Sequence, residues 1–265
     1  MGQQYALILG ASSGFGKAIG LALAKDGVNI IGVHLDRATT MPAVEQLISD
    51  IKAEGVEAHF FNVNAADEEK RKMIVDKIKD EIFAGKDNPT IRVLVHSLAF
   101  GTLVNFIDDD PSKMITQRQI NMTLDVMACS LVYWAQDIVA SGLMGKGGKI
   151  YAMTSSGGTR QIEFYGAVSA AKASLESFVR QLAMELAPKG IAVNALKAGV
   201  TDTPALQRIP NADKIIENAK QRNPMHILTD PHDVADFVVD NYKRDSHWVT
   251  GNIIGIDGGE SIVEI

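Results

Sequence analysis

The chain has 265 residues, 46% of them hydrophobic and 22% charged, with a formal net charge of −6; this is the composition of a globular domain with a sizeable core. The acidic balance argues against a nucleic-acid partner, which would require a basic face, and no apolar run approaches the length of a membrane span. Cys129 is the only cysteine, which excludes an internal disulfide and a cysteine metal cluster, and with no basic, cleavable leader in view the expected compartment is the reducing cytoplasm.

In chain order, short runs rich in Val and Ile alternate with amphipathic stretches. Strands are expected at 6–9, 29–34, 58–63, 93–96, 149–154, 191–196 and 252–256, mostly unbroken runs of the kind covered on both faces. Helices are expected at 17–25, 42–54, 67–82, 114–140 and 164–186. The alternation predicts an α/β fold: a Rossmann-like, doubly wound parallel sheet of seven strands in a single domain spanning 1–265. The segment 202–231 breaks the rhythm. It carries Pro204, Pro210, Pro224 and Pro231 among apolar residues that include Leu206, Ile209 and Ile215. Such an insertion after a strand is expected to form a lid over a pocket.

The first strand runs into Gly10, Ser12, Ser13, Gly14, Phe15 and Gly16, and a helical pattern follows at once. Glycines here allow a tight turn and close backbone approach to a pyrophosphate, and the helix start offers unpaired N–H groups, so dinucleotide binding is expected. The end of the second strand bears on the choice of cofactor. An acid there bonds the adenosine ribose, whereas a basic residue accepts a 2′-phosphate. His34, Asp36 and Arg37 stand at that point. His34 and Arg37 tilt the expectation towards NADPH, and Asp36 leaves NADH open.

Tyr165 and Lys172 are seven residues apart in the last of these helices, a spacing that returns to one face two turns along. A phenol beside an ammonium is a proton donor, because a nearby cation favours the phenolate. The preceding strand ends in the hydroxyls of Thr154, Ser155 and Ser156. Ser155 reads either as a second donor or as a cap of the strand end. His96 ends the fourth strand with no cluster of ligand types around it; it reads as structural, and no metal is expected.

The Gly-x3-Gly-x-Gly spacing of residues 10–16, with Ser155, Lys172 and Asn121 at matching positions, resembles the short-chain dehydrogenase/reductase family along the whole chain. The family's usual tyrosine position holds Val168, and Tyr165 stands three residues earlier. That displacement is similar to the enoyl-acyl-carrier-protein reductases. So are residues 96–101, His-Ser-Leu-Ala-Phe-Gly, like their His-Ser-Ile-Ala-Phe-Ala, and residues 193–199, Val-Asn-Ala-Leu-Lys-Ala-Gly, like their Val-Asn-Ala-Ile-Ser-Ala-Gly. Their common form has a second tyrosine where this chain has Ser155, and a minority form with serine is the closer match.

The resemblance implies catalytic roles for Tyr165, Lys172, Ser155 and Asn121. It implies cofactor contacts from the 10–16 loop, from Asn62 and Val63 around the adenine, from Ser97, Leu98 and Ala99, from Lys172 at the nicotinamide ribose, and from Gly199, Thr201 and Thr203. Phe100, Phe164 and Leu206 are expected to line an acyl pocket; for the phenylalanines, core packing is the plainer reading. The implied reaction is NAD(P)H-dependent reduction of the C=C bond of a trans-2-enoyl thioester in fatty-acid synthesis. The substrate would ride on acyl carrier protein or coenzyme A, and the enzyme would be a homotetramer built through its two long central helices. Reduction of a carbonyl or 3-oxoacyl thioester is the second reading, and a non-catalytic dinucleotide sensor the third. Arg208, Lys214, Lys220 and Arg222, near the lid, read as a solvated helix face or as a rim for an acidic carrier.

Overall fold

The computed structural model describes residues 2–264. The apolar runs form β1 (Gln4–Leu9), β2 (Asn29–His34), β3 (Ala58–Asn62), β4 (Thr90–His96), β5 (Lys149–Thr154), β6 (Ala192–Ala198) and β7 (Ile253–Ile256). They make one seven-stranded sheet in the order β3-β2-β1-β4-β5-β6-β7, parallel throughout. The helices between them are α1 (Gly14–Lys25), α2 (Met41–Ala53), α3 (Glu68–Lys77), α4 (Gln117–Leu124), α5 (Ser130–Ala140), α6 (Gly166–Leu186), α7 (Ala212–Arg222) and α8 (Pro231–Tyr242). Among the described residues no helix is long and apolar enough to cross a membrane.

Side chains alternate across the sheet and fill two cores. Along β1, Tyr5, Leu7 and Leu9 enter one core and Ala6 and Ile8 the other, the period of two that a strand imposes. The first core lies under α3, α5 and α6 and holds Ile74, Trp134 and Leu175. Trp134 is fully buried, and its indole N–H donates to the Ala65 carbonyl at 2.8 Å. The second core lies under α1, α2 and α8, with Ile19, Leu47 and Val234. The strand order reverses between β1 and β4. The loops leaving their carboxyl ends therefore part, and the crevice between them is where doubly wound sheets bind ligands.

The expected helices differ from the structure at several points; α1 starts at Gly14 rather than 17. The stretch 67–82 is α3 followed by a π-helical turn, Ile78–Ile82. The stretch 114–140 is α4, a π turn at Asp125–Cys129, and α5. Helix α4 starts at a capping box, in which Thr116 and Gln119 satisfy each other's backbone N–H groups. Helix α6 starts at Gly166, not 164. Tyr165 is its N-cap residue, and Phe164 before it takes a left-handed conformation with φ 64°. The lid segment holds a short 3-10 turn, Leu206–Arg208, and α7.

Candidate active site

The loop after β1 has the shape that its glycines require. Gly10 has φ 84°, which favours glycine. A Cβ on Gly16 would lie 2.1 Å from the Gly10 carbonyl oxygen, so the first turn of α1 sits directly on the loop. The Ser13 side chain makes no capping bond, which leaves the first N–H groups of α1 uncapped by it. Ser97 backs onto Gly10, and the Thr203 methyl lies 3.6 Å from where a Gly14 Cβ would be. The 10–16 loop, the segment starting at Ser97 and the Gly199–Thr203 segment thus meet around one crevice. A cradle of close backbone and an open helix start fits a dinucleotide pyrophosphate. Within it, Thr201 is buried and donates to the Gly199 carbonyl at 3.1 Å.

At the carboxyl end of β2, His34 is buried and its Nδ1 lies 2.9 Å from Asp36 Oδ2. Thr40 Oγ1 donates to Asp36 Oδ1 at 2.8 Å. Burial pushes the Asp36 carboxyl up, but hydrogen bonds from Ser12, Thr40 and His34 outweigh it and hold the group below its ordinary value. Asn62 brackets this turn, accepting from Asp36 N and donating to Asp36 O, both at 2.9 Å. Val63 N donates to the His34 carbonyl. Arg37 is exposed, and among the described residues it has no ion-pair partner.

At the other end of the crevice, β5 delivers Ser155, whose Oγ accepts from Gly157 N at 3.2 Å. Tyr165 lies beside it. Burial raises the phenol's pKa, and the Ser155 hydroxyl opposes that rise without cancelling it. Lys172 is buried, and its Nζ donates to the Met153 carbonyl at 2.7 Å. Burial pulls its pKa down to about 8 against the field of Glu176. This corrects the expectation that Lys172 depresses the tyrosine: the ammonium is turned to the backbone of β5, and the group acting on the phenol is Ser155. Tyr165 stands at the N-cap of α6, and its carbonyl accepts the first bond of that helix from Ser169 N at 2.8 Å.

Asn121 is a second correction. Its side chain is exposed on α4 and borders a surface groove with Met122, Asp125 and Cys129. The inward residue of that turn is Thr123, fully buried, which accepts from Thr102 N and donates to the Gln119 carbonyl. Residues two apart on a helix point to nearly opposite sides, so both cannot face the site. His96 is buried as expected for a structural residue. Ser130 gives its proton to the Val126 carbonyl, so His96 Nε2 carries the hydrogen that bonds Ser130 Oγ at 2.8 Å. Burial and the nearby Lys172 hold the imidazole down at about 3, hence neutral.

Beside Ser155 and Tyr165 lies a cavity of about 120 Å³ walled by Ile162, Lys197, Leu206, Ile209 and Ile215. Leu206 lines it as expected. Phe100 and Phe164 do not: Phe100 is 48% exposed, and Phe164 sits in a left-handed turn. Phe106 packs its ring over Gly166. Ile162 and Lys197 were missed. Strand alternation gave a signal for Lys197, since Val193 and Ala195 on the same face of β6 point to the α6 side. On the lid, Arg222 is not a free rim charge. It donates to Glu260 Oε1 at 2.9 Å, and Glu260 Oε2 accepts from Val200 N.

Residues 10–261 match the family model described as enoyl-(acyl carrier protein) reductase. The chain belongs to this family of short-chain dehydrogenases/reductases. It is 29% identical over 259 residues to the uncharacterized oxidoreductase YjdA of Bacillus subtilis, covering 97% of this chain and 96% of that one. It is 29% identical over 212 residues to the NADH-dependent enoyl-[acyl-carrier-protein] reductase FabI of Bacillus cereus, covering 79% and 78%. Among solved structures, the Bacillus cereus enoyl-acyl carrier protein reductase with NADP+ and indole naphthyridinone superimposes with a TM-score of 0.85 at 25% identity, covering 100% of this chain and 98% of that one. This member of the family is accordingly an NAD(P)H-dependent oxidoreductase.

Proposed function

We propose that the protein reduces the C=C bond of a trans-2-enoyl thioester in fatty-acid synthesis, with NADPH as the preferred cofactor. The observation that carries this reading is the placement of Tyr165 at the cap of α6, beside Ser155, while Val168 at the usual tyrosine position is buried in the core. Valine cannot donate a proton, so the donors are Tyr165 and Ser155. The 10–16 loop, the segment from Ser97 and the Gly199–Thr203 segment would hold the cofactor, whose chemistry is hydride donation to the β-carbon. Negative charge then develops on the thioester oxygen. A half-buried phenol with a raised pKa stays protonated at neutral pH and can donate a hydrogen bond there, stabilising the enolate where its charge appears; a proton taken up at the α-carbon then completes the reduction. Lys172 would hold the nicotinamide ribose hydroxyls. Support for NADPH comes from the adenosine end, where Asp36 is engaged by His34 and Thr40 and Arg37 is exposed with no ion-pair partner among the described residues. In this reading the chain works as a homotetramer, and the exposed Met184 and half-buried Phe178 on α6 suit such an interface.

Reduction of a 3-oxoacyl thioester or another carbonyl is the second reading, favoured by the serine beside the tyrosine. Crotonyl and acetoacetyl thioesters of coenzyme A and acyl carrier protein, each with NADPH and NADH, separate the two. Consumption of reduced cofactor with crotonyl thioester is expected. Turnover of the oxo substrate alone would overturn the first reading.

A further inference from the structure

A second charge is buried on α6, four residues after Lys172. Glu176 is 6% exposed, and its Oε1 accepts a 2.7 Å hydrogen bond from Thr154 Oγ1. Thr154 is the last residue of β5 and the neighbour of Ser155. Gly158 closes over the carboxylate, since a Cβ there would lie 2.6 Å from Glu176 Oε1. Among the described residues no cation pairs directly with Glu176. A buried carboxylate with one hydroxyl partner is unfavourable unless a positive charge is near. Lys172 is that charge, one turn away on the same face.

We propose that Glu176 is a positioning residue of the active centre: it keeps Lys172 as an ammonium, and through Thr154 it ties the strand end bearing Ser155 to α6. Direct geometry carries the second half of this statement. The electrostatics carry the first. Lys172 is fully enclosed and already drawn down to about 8, and Glu176 is the group that opposes that fall. The other titratable groups around it bring no compensating negative charge. His96 on β4 is neutral, and the Tyr165 phenol stays protonated. Without the carboxylate, Lys172 loses its proton at a lower pH, and with it the donor strength expected at the nicotinamide ribose.

This inference rests on Lys172 being part of the cofactor site, but not on which thioester is reduced. The test is therefore NADPH binding followed by fluorescence between about pH 6 and 9, with kcat measured in parallel. Glu176→Gln keeps an oxygen for Thr154 and removes the charge. The expected result is that the alkaline loss of NADPH affinity moves down by about one pH unit or more. Affinity at pH 6 should stay within about threefold of wild type. An unmoved pH profile, or an equal loss at every pH, would overturn the proposal. Should Glu176→Gln fail to fold, Glu176→Met, which also removes the charge at similar size, serves instead; a shift in the same direction supports the proposal and an unmoved profile overturns it. A protein that binds NADPH with this pH dependence yet reduces no enoyl thioester would fail the proposed function and leave this inference standing.

Discussion

Lys172 sets an upper limit to the working pH. It is charged below about 8 and neutral above, so NADPH affinity and kcat/KM are expected to fall as pH rises through that value; a profile flat to pH 10 would contradict this. Tyr165→Phe removes the donor while keeping the ring, and kcat on crotonyl thioester is expected to fall by about 10²–10³-fold with NADPH affinity unchanged. At this scale the sequence was a partial guide. Ser155, Tyr165 and Lys172 were legible because each is a residue type with chemistry to do at a recognisable spacing. The direction of each side chain was not. Lys172 bonds the backbone of β5 rather than acting on the phenol, and Asn121 faces outward while Thr123 faces in. Such choices are made by neighbours that lie far away in the chain.

Elements were legible where local pattern and tertiary packing agree. The expected strands fall within two or three residues of those observed, because runs of Ile and Val buried on both faces have few alternatives. The helix expected at 114–140 was not, because a π turn adds a residue without interrupting the apolar pattern that signals a helix. Packing also fixes the phosphate loop more tightly than its composition shows. Gly16→Ala would drive a methyl group to 2.1 Å from the Gly10 carbonyl oxygen. Helix α1 must then move off the loop, and NADPH affinity is expected to drop by about tenfold or more, roughly 1.4 kcal/mol, in a fluorescence titration.

For the molecule as a whole, the two cores place the crevice and the lid relative to one another. Trp134 is the largest side chain wholly inside. Trp134→Ala is expected to cost about 3–5 kcal/mol in urea unfolding, with the Ala65 carbonyl losing its partner as well. The segment 202–231 was legible as an interruption between β6 and α8, rich in proline. Its anchorage was not. Arg222 binds Glu260, Glu260 binds Val200, and Asn223 donates to the Asp257 carbonyl, three contacts that join residues more than thirty positions apart in the chain.

The left-handed turn at Phe164 sets stability against rate. A phenylalanine held at φ 64° stores about 1–2 kcal/mol of backbone strain, and the residue that follows it is Tyr165. Glycine at 164 would occupy the same conformation without penalty and would leave the approach to Tyr165 free to wander. Phe164→Gly is therefore expected to raise the melting temperature and lower kcat together. A variant that melts higher and works faster would show that the strain does nothing for turnover. On this account the chain gives up part of its folding free energy to keep one phenol aimed, and thermostabilising changes made at this turn will tend to be selected against wherever flux matters.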